Sequence, residues 1–321
     1  MAKSVLSAAH FQNEEAAFAF VEARLWPNGP VCPRCGATEE HVGRLQGKTT
    51  RMGLHKCYAC RKPFTVRIGT IFESSHLALH LWLQVIHLMC ASKKGVSTRQ
   101  IQRMLQCSMK TAWFLTHRIR AAMDDGALGG PLGGTGKTVE ADETYFGKVA
   151  KPKMTNEAGK PFKGSRRGRG PANKNAVVAL VERGGSARSF HVETANRATI
   201  ERIVSENVAR ESRLHTDESH LYAKSKVPTL VAEHATVRHS EDEYVRGDVH
   251  SNSVEGYFSV FKRGMTGVYQ QCSEKHLHRY LAEFDFRFSN REKLGLNDVR
   301  RAEIALEGFK GKRLTYETTR L

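Results

Sequence analysis

KTVEADETYFG, residues 137–147, reads as a β-strand, and its neighbours decide the fold. Behind it, NAVVALVERG and SARSFHVETA read as two more strands joined by a Gly-Gly turn, and RATIERIVSENVARES as a helix. RLHTDESHLY then reads as a strand entering a turn, ATVRHS as another strand, and residues 251–263 as a helix. Strands followed by a helix, and again by strand and helix, imply a mixed sheet with helices packed on it. The expected fold class is therefore α/β, within a multidomain α+β chain. Ahead of the first strand, DDGALGGPLGGTGKT carries six glycines between Asp124 and Gly136. It is not a phosphate-binding loop, because Pro131 stands where the first glycine of G-x-x-x-x-G-K-[ST] belongs and the segment precedes a strand. Residues 126–137 are expected to be a flexible linker.

Three acids stand out by position. Asp142 is expected at the end of the first strand, Asp217 at the end of the fourth, and Glu255 near the start of a later helix. In such a sheet the first and fourth strands can be neighbours, which brings both aspartates to one edge and lets the helix add the glutamate. Clustered carboxylates repel unless cations lie among them, and Mg2+ prefers oxygen ligands. Two Mg2+ or Mn2+ ions would suit phosphodiester displacement, as in a nuclease or a strand-transfer enzyme. Each acid has a plainer reading: the aspartates as turn formers, with Glu143 or Glu218 as rival ligands. In HSNSVEGYFSVFKRG, residues 250–264, Ser251 or Asn252 can cap the helix, and Asn252 with Glu255 makes a variant capping box. Lys262 follows Glu255 by about two helical turns, on the same side.

The N-terminal part has its own signals. CPRCG and CYACRK hold two C-x-x-C pairs, Cys32 with Cys35 and Cys57 with Cys60, with the span from Gly36 to Lys56 between them. That spacing is a zinc-ribbon signal: four thiolates on two knuckles make a closed, structural Zn2+ site, one per chain. SSHLALHLWLQVIHLMCASKKG reads as an apolar helix. VSTRQIQRMLQ and SMKTAWFLTHRIRAAM then read as a helix-turn-helix, with Ser97 and Ser108 as N-caps and Gln106 where the turn often has glycine. The second helix is expected to expose Lys110, Thr111, His117, Arg118 and Arg120 toward a DNA major groove.

Charge agrees with a nucleic-acid partner. The 321 residues carry 50 Lys plus Arg against 33 Asp plus Glu, a net +17, for which a polyanionic partner is the natural inference. Residues 148–174 concentrate nine basic residues and one acidic, Arg166, Arg167 and Arg169 among them, and are expected to form a mobile basic arm that contacts phosphates. No apolar run is long enough to span a bilayer, and the N-terminus lacks a signal-peptide core. A cytoplasmic protein without a membrane segment is expected.

The runs CPRCG...CYACRKPFTVRIGTIFE, KKGVSTRQIQRML...KTAWFLTHRIR, ADETYFGK, HSNSVEGYFSVFKRGMTGVYQ and HLHRYLAEFDFRF together resemble bacterial insertion-sequence transposases. Those join a zinc ribbon and a helix-turn-helix to an RNase H-like catalytic domain, and the likeness covers nearly the whole chain. It implies Asp142, Asp217 and Glu255 as metal-binding catalytic residues and Lys262 as a contact to transposon-end DNA. The separations of the three acids in sequence agree with such a domain. Some members replace the glutamate by asparagine, and Asn252 lies one turn from Glu255; the lysine spacing favours Glu255. The resulting division is a helix and ribbon over 1–69, a helix-turn-helix module over 70–125, the linker, and a catalytic domain over 138–321. The expected activity is metal-dependent cleavage at insertion-sequence ends in double-stranded DNA and joining to target DNA, with a homo-oligomer pairing the ends. The alternatives are an RNase H-like nuclease or resolvase that does not join, and a DNA-binding regulator derived from a transposase.

Overall fold

A computed structural model describes residues 4–124, 130–152, 154–156, 159–161, 165–166, 169–243 and 245–312. The chain forms two compact units, one of residues 1–92, 96–123 and 296–321, the other of residues 93–95 and 124–295. Among the described residues, no helix is long and apolar enough to cross a membrane.

The first unit opens with helices α1 (Ala9–Gln12) and α2 (Glu14–Leu25). A small antiparallel sheet follows: β1 (Val42–Arg44), β2 (His55–Cys57) and β3 (Pro63–Phe64). Then come α3 (Leu79–Ala91), α4 (Thr98–Leu105) and α5 (Met109–Met123). The apolar α3 buries Leu79, Trp82, Leu83, Val85, Ile86 and Met89. Its N-cap residue, Ala78, has no polar side chain to offer. Glu14 of α2 serves instead: its carboxylate accepts from Leu79 N at 2.8 Å and His80 N at 3.1 Å, and from Arg67 Nη2 at 3.0 Å. Helices α4 and α5 form the expected helix-turn-helix. Ser97 Oγ accepts from Gln100 N, and Gln106 takes the left-handed conformation, φ 50°, at the position where glycine is common.

The second unit is built on a five-stranded sheet. Its strands are β4 (Thr138–Phe146), then, after the small hairpin β5 (Ser165–Arg166) and β6 (Arg169–Pro171), β7 (Asn175–Glu182) and β8 (Ala187–Val192). Helix α6 (Arg197–Asn207) leads to β9 (Arg213–Asp217), the short α7 (His220–Ala223) and β10 (Glu233–Val237). The ribbon of β11 (Val245–Arg246) and β12 (Val249–His250) precedes α8 (Asn252–Gly264) and α9 (Leu277–Ser289). The sheet order is β10-β9-β4-β7-β8, parallel across β10, β9 and β4 and antiparallel from β4 to β8. Val139, Ala141, Val178 and Leu180 face α6, whereas Val177, Ala179 and Val181 face α8 and α9. Burial on both faces explains why AVVALV, residues 176–181, is apolar throughout instead of alternating.

Four expectations need correction. The segment before β4 is docked, not flexible, from residue 132 on: Leu132 bridges to Val208, Gly133 N donates to Glu182 Oε2 at 2.9 Å, and Gly134 N donates to Ser212 Oγ at 2.9 Å. A Cβ at Gly133 would lie 2.0 Å from Ser212 Oγ, so only glycine fits this approach. The basic arm is anchored where it is described: Asn173 and Met154 exchange two hydrogen bonds, and Ala150 N donates to Glu274 Oε2 at 2.6 Å. In α5, His117 and Arg120 are fully buried instead of facing outward. The catalytic domain does not run to residue 321, because the last helix, α10 (Asp298–Glu307), packs in the first unit. Arg301 Nη1 donates to Cys90 O at 2.9 Å, and Phe309 meets Phe72 edge to face at 4.8 Å.

Glu14 should matter to stability as much as a local cap. Removing it as Glu14→Ala strips two amides of α3 of their acceptor and is expected to cost about 1–2 kcal/mol at pH 7. Amide and His80 hydrogen bonds hold the carboxyl below its usual range although burial works against this. Its contribution is therefore present above about pH 4.5 and lost as the pH falls through the lowered native value. Urea unfolding of both proteins at pH 7 and at pH 3 should show the difference shrinking; an equal difference at both would refute the capping role.

Candidate functional site

The carboxylates are brought together by one strand register. β4 pairs with β9 in parallel, Thr138 against Arg213 through Glu140 against His215. The sequence offset from Thr138 to Arg213 is the same as that from Asp142 to Asp217. The aspartates therefore occupy equivalent positions, just beyond the last of these pairs. Asp142 lies in the middle of β4, not at its end as expected, while Asp217 does end β9. Asp142 opposes Ala179 of β7 and thus shares the sheet face on which α8 and α9 pack. Glu255, in the first turn of α8, is near enough to act on it.

Burial pushes the Asp142 carboxyl up to about 8, and the charges of Glu143, Asp217 and Glu255 add to the effect. Glu143 opposes Val178 and so belongs to the α6 face. Burial, then Asp217, raises it to about 7, and the fully buried Tyr222 stands beside it. Glu218 is occupied elsewhere, accepting from Ser240 N at 3.0 Å and Ser240 Oγ at 2.8 Å. A half-buried carboxylate in the field of two others is chemically suited to a hard divalent cation. Their oxygens are not drawn into a tight cluster: among the described residues, only four cysteines bring ligand atoms of three or more residues within 4.8 Å of one another.

Helix α8 starts without the expected capping box. Its N-cap, Ser251, makes no side-chain cap bond. Instead, Ser251 Oγ donates to Glu255 Oε1 at 2.6 Å. The helix amides are taken by Glu140, two residues before Asp142 on the same strand face: Glu140 Oε2 accepts from Ser253 N at 2.7 Å and Val254 N at 3.1 Å. Sequence reasoning missed Glu140. Its one signal was a glutamate inside a strand that the fold buries on both faces.

Residues expected at DNA divide into three groups. Lys110 and Thr111 are exposed at the start of α5, where Ser108 Oγ accepts from Thr111 N at 3.1 Å. Lys262 is exposed on α8. Arg118 is engaged within its own unit: its Nη1 donates to Ile71 O at 3.1 Å and Glu73 O at 2.7 Å. Arg167 lies outside the described residues, as do the side chains of Arg166 and Arg169.

The cysteine cluster has the dimensions of a tetrahedral thiolate site. Cys32 Sγ and Cys60 Sγ are 3.7 Å apart, and Cys35 Sγ and Cys57 Sγ 3.6 Å. Zn–S bonds of about 2.3 Å require roughly these separations. Burial opposes ionisation of Cys32, but amide hydrogen bonds from Arg34 and Cys35 outweigh it and bring the thiol down to about 7. Phe64 and Val42 pack behind the sulfurs.

Comparison with known proteins agrees with both halves of this arrangement. Residues 131–289 match a family model described as an ISXO2-like transposase domain, and residues 12–63 one described as a transposase zinc-ribbon domain. A protein described as an uncharacterized protein in transposable element ISH50 of Halobacterium salinarum is 29% identical over 284 residues, 86% of this chain and 91% of the relative. Sheet, acids and cysteines thus fall within matched segments, and the chain belongs to the insertion-sequence transposases that carry an N-terminal zinc ribbon.

Proposed function

We propose that the protein cleaves DNA at the ends of an insertion sequence and joins the freed 3′ hydroxyl to target DNA, with Asp142, Asp217 and Glu255 as the catalytic residues. The observation that carries this reading is the parallel register of β4 and β9, which puts Asp142 and Asp217 at equivalent positions with Glu255 near enough to act on Asp142, whose carboxyl burial and the charges of Glu143, Asp217 and Glu255 raise to about 8. Such a charge excess calls for cations, and Mg2+ or Mn2+ would be held by Asp142, Asp217 and Glu255. Bound there, divalent ions supply activation of a water or hydroxyl and charge for the leaving oxygen. Lys262, two helical turns after Glu255 on the exposed side of α8, is suited to hold a phosphate of the DNA end as a point charge. Ser251 orients Glu255. Lys110 and Thr111 open a helix suited to the major groove, and Arg166, Arg167 and Arg169 supply non-specific phosphate contacts. A strand-transfer assay with Mg2+ and paired ends tests the whole reading, and cleavage without joining would favour a resolvase.

Glu255 and Lys262 should fail differently. Glu255→Gln is expected to lower cleavage by orders of magnitude with end binding intact, whereas Lys262→Ala should weaken or misplace the end. Normal cleavage by Glu255→Gln together with loss in Asn252→Ala would shift the third position to Asn252.

Cation binding should be coupled to proton release. Because Asp142 sits at about 8, it is largely protonated at pH 7 and must lose its proton to bind. Affinity for Mn2+ should therefore rise with pH from about 6 to 9 and level off above. Calorimetry in buffers of different ionisation enthalpy measures this, and a flat profile would count against Asp142 as a ligand.

Purified without chelator, the protein should contain one zinc per chain by elemental analysis, and chelation should unfold chiefly residues before about 70. Absence of zinc would sink the assignment of Cys32, Cys35, Cys57 and Cys60.

A further inference from the structure

Between the candidate acids and the rest of the sheet lies a layer of charge that the reaction itself does not require. Glu140 is fully buried in β4. Besides the Ser253 and Val254 amides, it accepts from Ser253 Oγ at 3.0 Å and from Arg183 Nε at 2.6 Å. Arg183 also donates to Asp248 O at 2.6 Å, to His250 O at 2.9 Å and to His215 Nδ1 at 3.0 Å. One arginine thus fastens the ribbon that leads into α8, while one glutamate fastens the first turn of that helix. Two donors at a helix N-terminus and a guanidinium compensate a carboxylate that would otherwise be prohibitively costly to bury.

The exchange of partners has a consequence at Glu255. In an ordinary helix start the N-cap serine accepts from the second or third amide. Here Glu140 takes those amides, and the Ser251 hydroxyl donates to Glu255 instead. We propose that Glu140 is a positioning residue for the metal-binding acids: by capping α8 from β4, with Arg183 as its counter-ion, it sets the first turn that carries Glu255 against the strand that carries Asp142. This rests on the reading of Glu255 as a catalytic residue. Both ends of the link are rigid, since Glu140 and Asp142 share a strand and Ser253 and Glu255 share a helical turn. Two side chains complete the link, the buried Glu140 carboxylate and the Ser251 hydroxyl.

Glu140→Gln tests it, because glutamine keeps the size but turns an NH2 group toward donors that need an acceptor. Residues that orient metal-binding groups typically contribute about 10–100-fold to metal affinity or activity when replaced. The variant is expected to bind Mn2+, followed by electron paramagnetic resonance, at least about tenfold more weakly, and to need correspondingly more Mg2+ for cleavage. The Ser253 and Val254 amides should lose hydrogen-exchange protection while DNA-end binding is retained. Ser251→Ala leaves the cap alone and should weaken Mn2+ binding without deprotecting those amides. Ile203→Ala, a core change in α6 on the opposite face, lowers the melting temperature and is the control for instability; its Mn2+ affinity should match the native protein. Native Mn2+ affinity in Glu140→Gln or in Ser251→Ala overturns the proposal, as does native exchange at residues 253 and 254 in Glu140→Gln. Normal cleavage by Glu255→Gln would instead refute the reading of Glu255, a result distinct from these.

Discussion

A carboxylate with no exposed surface in the central strand of a sheet constrains everything around it. Glu140 needs donors from several directions, and the chain supplies them from two places remote in sequence, Arg183 just after β7 and the first turn of α8, while Arg183 in turn holds the ribbon before α8. The helix is thereby held by charge as well as by the apolar contacts of Val254, Phe258 and Phe261. Apolar packing alone tolerates sliding by fractions of a turn, whereas hydrogen bonds to two successive amides do not. The first unit repeats the device on a smaller scale, where Glu14 caps α3. In each unit a helix whose own cap residue contributes no side-chain bond is completed by a carboxylate from another element.

Neighbouring acids of β4 do different work because a strand turns successive side chains to opposite faces. Asp142 shares its face with Glu140 and α8, while Glu143 stands on the α6 side against Tyr222. The two faces still communicate through space, since the charge of Glu143 raises the energy of ionising Asp142, and that of Asp217 does the same to Glu143.

Much of this was legible in the sequence, for physical reasons that can be named. Apolar and β-branched runs marked the strands, and the helices between them implied the mixed sheet. The C-x-x-C spacing marked the cysteine cluster, and the caps Ser97 and Ser108 the helix-turn-helix. What stayed hidden depends on partners far along the chain. Nothing local marks Glu14 or Glu140 as caps, since the amides they serve lie about 65 and 113 residues away. Nor does α5 reveal which of its basic residues point inward, because α10, which adjoins it in space, comes at the other end of the sequence. The glycine-rich segment misled for the opposite reason: composition signals freedom, but Gly133 is there to let backbone approach Ser212.

The parallel register between β4 and β9 also bears on how the second unit folds. Joining β7 to β8 closes a short hairpin, whereas joining β4 to β9 closes a loop many times longer, from Thr138 round to Arg213. By length alone the longer closure costs about 2 kcal/mol more in chain entropy, and non-local pairings of this kind slow folding. Electrostatic repulsion between Asp142 and Asp217 grows during that same slow step. Counter-ions that screen the two aspartates therefore ease the same step that pairs the strands.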